Sequence, residues 1–163
     1  MSSPTNPTPV TEHTYTPVAA VPKKTLYDTD FMAWCEYQAE ALRSQDFGNL
    51  DLVNLIEEIS DMGREQFNKT ASLTRQIIIR ILKLQTLPNE QAADPWRDKI
   101  EAFQDSLDDI ISGSIRYRFQ QQETFVTQQA KTLRRLQRKY PATEFQPLAS
   151  MTLDEIINWS DNN

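Results

Sequence analysis

An all-α bundle is the fold class this sequence predicts, and three observations carry the prediction. From Leu26 onward, apolar residues recur at the 3.6-residue spacing of a helix face. Only three glycines occur in 163 residues, and β-branched residues do not gather into alternating runs. Helix start and stop signals punctuate the rest, notably Asp94-Pro95, Pro141 and the Thr152 to Glu155 spacing. The expected architecture is about four main helices plus a short C-terminal helix, preceded by a disordered N-terminal tail.

Residues 1–24 hold five of the nine prolines and five threonines with few large apolar side chains. Such a segment cannot bury enough surface to offset its ordering entropy, so it is expected to be a flexible tail. It contains the only histidine, His13. Residues 25–163 are expected to form a single all-helical domain.

The first helix is expected to start near Asp28 or Thr29, either of which can cap it, and to bury Phe31, Trp34, Cys35, Gln38 and Leu42. It should stop around Ser44, before the turn formers Asp46 to Asn49. Asp51 then caps a second helix reaching about Leu87, roughly 54 Å long at 1.5 Å per residue. Its apolar positions Leu52, Leu55, Ile56, Ile59, Met62, Phe67, Leu73, Ile77, Ile81 and Leu84 share one face. Gly63 falls on that face, where its missing side chain would let another helix approach closely.

A third helix begins at Asp94-Pro95-Trp96 and buries Trp96, Ile100, Phe103, Leu107, Ile110 and Ile111, ending at Ser112-Gly113-Ser114. A fourth spans about Ile115 to Tyr140 and buries Phe119, Val126, Ala130 and Leu133, with Phe125 and Leu136 on its flank, until Pro141 closes it. The capping-box spacing of Thr152 and Glu155 opens the last helix, with Ile156, Ile157 and Trp159.

Composition narrows function. A formal net charge of -6 argues against a dedicated nucleic-acid binder, whose usual footprint is basic. A lone thiol, Cys35, leaves no internal disulfide framework and suits a reducing compartment. No run approaches the roughly 18 consecutive apolar residues of a membrane span, and no secretory leader pattern opens the chain. A cytoplasmic location and no membrane partner are expected.

Glu57, Glu58 and Asp61 form an EExxD pattern, and carboxylates one helical turn apart can share a hard cation such as magnesium. The third helix adds Asp98, Glu101, Asp105, Asp108 and Asp109. These two stretches resemble the all-helical nucleotide pyrophosphohydrolases, which hold magnesium between EExxE and ExxD motifs. Here Asp61 replaces the last glutamate of the first motif, and no ExxD follows at the usual distance. On a helical wheel started at Leu52, the apolar stripe centres near about 340°, whereas Glu57, Asp61 and Glu58 fall near about 140°, 180° and 240°. The carboxylates are therefore expected behind the core, as a solvated face. No catalytic, cofactor-binding or metal residue is assigned, and magnesium on Glu57, Glu58 and Asp61 is the alternative.

Charge is segregated along the chain. Leu26 to Met62 holds nine acids and one base, Arg64 to Leu87 five bases and one acid, Pro88 to Gly113 seven acids and two bases, and Ser114 to Tyr140 seven bases and one acid. The sharpest candidate contact patch is Lys131, Arg134, Arg135, Arg138 and Lys139, suited to phosphates or an acidic partner. It lacks the interleaved aromatics on which single-stranded nucleic acids stack, so a nucleic-acid partner is disfavoured.

The segments Leu26-Tyr27-Asp28, Asp30-Phe31 and Trp34, the stretch Leu50 to Gly63, Leu82-Lys83-Leu84, Trp96-Arg97 and Thr152-Leu153 together resemble the bacterial domain of unknown function 29 family, common in cyanobacteria. The resemblance covers Leu26 to Trp159. It implies an all-helical domain and supplies no activity, substrate or catalytic residue. The expected function is a non-catalytic protein–protein interaction module without cofactor, partnered by an unidentified protein or by a second copy. The alternatives are a magnesium-dependent nucleotide pyrophosphohydrolase-like enzyme and a nucleic-acid accessory protein acting through Lys131 to Lys139.

Overall fold

Asp30 interrupts the chain between two helices. Its carboxylate accepts a hydrogen bond from the Ala33 backbone N–H at 3.0 Å, satisfying one of the unpaired donors of a new helix. A short helix, α1 (Lys23–Thr29), ends just before it, so the cap falls on Asp30 rather than on Asp28 or Thr29. The computed structural model describes residues 23–87 and 90–161, and all regular structure among them is helical. Residues 1–22, with His13, lie outside the described residues.

The chain divides into two compact units, Met1–Glu57 and Glu58–Asn163. In the first unit, α2 (Phe31–Arg43) buries Trp34, Gln38 and Ala41, while Cys35 is half-buried and Phe31 and Leu42 are exposed. Gln45, with φ 58°, reverses the chain into a single 3-10 turn at Phe47–Asn49. Asp51 ties the unit together. Its carboxylate accepts from the Trp34 indole N–H (3.3 Å), from the Asn54 side-chain amide (2.7 Å) and from the Asn54 backbone N–H (3.4 Å). Its own backbone N–H donates to Gln38 Oε1 at 2.7 Å. One residue thus caps the next helix and engages the Trp34 indole N–H and the Gln38 side-chain oxygen of α2. Tyr27 and Phe31 add aromatic contacts to Trp34, at centroid distances of 5.0 and 5.5 Å.

Helix α3 (Leu52–Thr86) is unbroken, as its continuous periodicity predicts. In the second unit its residues Ile77, Ile78, Ile81 and Leu82 are enclosed by Ile100 and Leu107 of α4 (Glu90–Asp108), Phe119 of α5 (Gly113–Gln121), Leu136 of α6 (Thr124–Lys139) and Ile156 of α7 (Leu153–Ile157). Phe145, on the irregular segment after α6, closes the same core. Helix α4 starts about one turn before Asp94, so Pro95 lies inside it. So early in a helix, proline deletes a single backbone hydrogen bond, and Asp94 instead pairs with Arg97 at 2.9 Å.

The expected fourth helix is divided in two. Glu123 adopts left-handed backbone angles (φ 46°, ψ 42°), ending α5 and restarting the chain as α6. The restart rotates the buried face. Phe125, Gln128, Gln129, Thr132 and Leu136 point inward, whereas Val126 and Ala130, expected inside, are exposed. Gln129 makes the new register workable: its amide accepts from the Leu148 N–H (2.6 Å) and donates to the Leu148 carbonyl (3.2 Å), pairing the segment that crosses it. Gln104 likewise donates to the carbonyls of Ile156 and Trp159, at 2.8 and 2.9 Å, and holds α7 on α4. Among the described residues no helix is long and apolar enough to cross a membrane.

The expected capping box forms on α7, with Glu155 accepting from the Thr152 backbone N–H (2.7 Å) and hydroxyl (2.9 Å). These bonds, the backbone one foremost, hold the Glu155 carboxyl below its ordinary value of 4.5. A carboxylate with a depressed folded-state pKa stabilises the fold above its unfolded value, and that contribution fades as pH falls through the folded value. We therefore expect Thr152→Ala to raise the Glu155 pKa toward the ordinary value in a carboxyl-detected NMR titration. The same variant should flatten the loss of stability on acidification. An unchanged Glu155 titration would contradict a contribution from the Thr152 hydroxyl.

Candidate functional site

The helical wheel assigns Leu52, Ile56, Ile59 and Met62 to the core; the structure leaves them in water. Leu52, Val53, Ile56, Ile59 and Met62 on the first three turns of α3 are all exposed, Ile59 at 66% and Met62 at 69%. Half-buried positions in this stretch are instead Asn54, Leu55 and Glu58, on a different side of the helix. Further along the same helix, Phe67, Thr70, Thr74, Ile77 and Ile81 are buried. At about 100° per residue these buried positions continue the angular phase of Leu52, Ile56 and Ile59. Residues of one angular phase along α3 are therefore buried from Phe67 onward and exposed before it. Gly63 sits in the bare part, and a methyl group placed on it would meet nothing within 4 Å. The close helix approach expected at Gly63 is not made among the described residues.

The carboxylates of the EExxD pattern do not converge. Glu57 is exposed, Asp61 is exposed and paired with Arg64 at 2.5 Å, and Glu58 is half-buried. The acids of α4 are likewise on its wet side, with Asp98, Glu101, Asp105 and Asp108 exposed. Among the described residues no three His, Cys, Asp or Glu side chains are grouped to hold a metal ion.

The basic patch on α6 is real but divided. Lys131, Arg134 and Arg138 line one shallow cleft, whereas Arg135 and Lys139 turn to another and meet Arg80 and Lys83 of α3. All five patch residues are exposed, and none pairs with a carboxylate among the described residues. Arg80 and Lys83 were legible only as part of the base-rich Arg64 to Leu87 stretch. Their i, i+3 spacing beside the i, i+4 spacing of Arg135 and Lys139 was the available signal. A groove of about 650 Å³ lies elsewhere, among Phe119, Phe125, Val126, Met151 and Leu153, with the Arg116–Asp154 ion pair (3.0 Å) at its edge.

Comparison with known proteins adds family and fold. The family model described as domain of unknown function DUF29 matches residues 26–160. A solved α-helical protein of unknown function from Rhodospirillum rubrum is similar at 25% identity and a TM-score of 0.56, over 81% of this chain and 89% of that one. No curated protein matches the sequence.

Exposure of the α3 stripe has a measurable consequence for stability. Ile59→Lys should change the unfolding free energy by less than about 0.5 kcal/mol, the usual range for a surface position. Ile81→Ala, at a residue 1% exposed, should cost about 2–5 kcal/mol. Urea denaturation of the two variants checks this, and a comparable loss in both would show that Ile59 is a core residue.

Proposed function

We propose that this chain, which belongs to the domain of unknown function DUF29 family, is a non-catalytic interaction module that receives a basic amphipathic helix of a partner protein. The observation that carries this reading is the exposure of apolar side chains on the first turns of α3. Leu52, Val53, Ile56, Ile59 and Met62 stand exposed at helical spacing on a helix whose same face is core from Phe67 onward. An exposed, contiguous apolar stripe on a water-soluble surface is the feature that helix-in-groove recognition uses. The occupant follows from charge. Leu26 to Met62 carries nine acids and one base. Glu57 is exposed on α3, and Glu36 and Glu40 are exposed on α2. A second copy would bring the same acidic surface to the contact, whereas a basic helix would meet opposite charge. Gly63, with open space beside it, would let the partner backbone come close.

The test titrates a synthetic Leu/Lys amphipathic helical peptide into the isotopically labelled full chain and follows amide shifts. Shifts should concentrate on residues 52–63. Ile59→Lys should weaken the peptide at least about tenfold, because burying an isoleucine contributes roughly 1.5–3 kcal/mol and about 1.4 kcal/mol is a factor of ten. Shifts spread evenly over the acidic surface would reduce the effect to charge attraction and overturn the reading. Concentration-dependent dimerisation through the same residues would make a second copy the occupant and overturn the choice of partner.

A further inference from the structure

A second surface of the molecule has the opposite chemistry. In the second unit, Arg80 and Lys83 on α3 and Arg135 and Lys139 on α6 line one cleft of about 220 Å³, with Trp96 of α4 and Gln76 forming part of its wall. Among the described residues no carboxylate lines it. Four cations facing a common space repel one another, and a fold tolerates this at little cost only where solvent or an anion screens them.

Two of the four are held in place rather than left to wave in solvent. The Arg80 guanidinium lies 4.6 Å from the Phe103 ring centre and donates to the Gln76 carbonyl (2.7 Å) and side-chain oxygen (3.1 Å). The Lys83 ammonium sits 5.2 Å from the centre of the Trp96 ring. Such stacking orients a cation without neutralising it. The Arg80 Nε–H is buried and has no hydrogen-bond acceptor among the described residues, leaving an unused donor on a fixed guanidinium. Partial burial lowers the Arg80 pKa, the direction expected of a cation that has lost water and gained no counter-charge.

The geometry points to an oxyanion site: we propose that Arg80, Lys83, Arg135 and Lys139 bind a pyrophosphate-type group, either free or as the head of a larger molecule. Arginine and lysine together suit this chemistry, the guanidinium fork pairing with two phosphate oxygens and the ammonium acting as a point charge. The space is smaller than the roughly 300–1,000 Å³ of pockets that enclose whole small-molecule ligands. It suits one or two phosphoryl groups rather than a complete nucleotide. The surroundings of the α3 stripe are acidic, so this site neither uses nor competes for the helix proposed to dock there, and it stands or falls independently.

The experiment uses the full chain and isothermal titration with sodium pyrophosphate at fixed ionic strength. A parallel flotation assay uses phosphatidylcholine vesicles with and without a phosphatidylinositol phosphate. Pyrophosphate should bind, more weakly as salt rises. Arg135→Gln/Lys139→Gln should weaken it by roughly tenfold or more, since charge-assisted hydrogen bonds are lost. Lys131→Gln/Arg134→Gln, equal in charge but in the neighbouring cleft, should change it less than about twofold. Both pairs are exposed, so both variants should fold, and their circular dichroism checks that. Pyrophosphate binding without vesicle binding identifies a free anion; phosphoinositide-dependent flotation lost in the first variant identifies a headgroup; either supports the site. Equal weakening in the two variants would reduce it to net charge, and absence of binding to both probes would overturn it.

Discussion

Everything else in the second unit depends on the enclosure of Ile77, Ile78, Ile81 and Leu82 on α3, none of them more than 1% exposed. At roughly 25 cal/mol per Å² of apolar surface removed from water, such fully enclosed aliphatic residues supply the main drive for helices that are mostly polar outside. Helices α4, α5, α6 and α7 each contribute at least one large buried side chain to the same core cluster. Two glutamines then resolve what burial would otherwise cost. Gln104 and Gln129 satisfy backbone groups of segments with no regular pairing of their own, and so let irregular chain lie against the core.

Much of this was legible in the sequence. Periodicity marked α3 as one long helix and Thr152 as the cap of α7, because local spacing and local hydrogen bonds decide those features. The break at Glu123 was not legible. A glutamate in left-handed backbone geometry leaves no residue-type signature, and the polar run around it reads as helix surface. Once the break exists, the register of α6 shifts, and Val126 exchanges places with Phe125. The bare stripe on α3 was hidden for a different reason. Hydrophobic spacing shows that a face is apolar, and says nothing about whether this chain or another covers it. Leu52, Ile56 and Ile59 carry the same pattern as Thr74, Ile77 and Ile81, and only the supply of packing partners separates them. For the basic residues, spacing showed α6 as charged on one side, but the meeting of Arg135 and Lys139 with Arg80 and Lys83 is a tertiary fact.

Two chemistries therefore stand on one long helix. Its first turns offer apolar side chains with acidic neighbours, and its later turns contribute two fixed cations to a basic cleft. The carboxylates that first suggest a metal centre stand apart from one another, with Asp61 engaged by Arg64. The apolar half of the same motif is what calls for an explanation, since a water-facing Ile59 and Met62 give up stabilisation that a covered position would provide. A docking helix would recover it and extend the packing already present from Phe67 onward.

Hydroxyl-radical footprinting of the dilute full-length protein tests that account most directly. Ile59 and Met62 should label readily while Ile77 and Ile81 stay protected, and a bound basic amphipathic peptide should protect Ile59 and Met62 without altering the other two. If Ile59 and Met62 were already as protected as Ile81 in the free monomer, the bare face of α3 would not exist and the proposed docking role would fall with it.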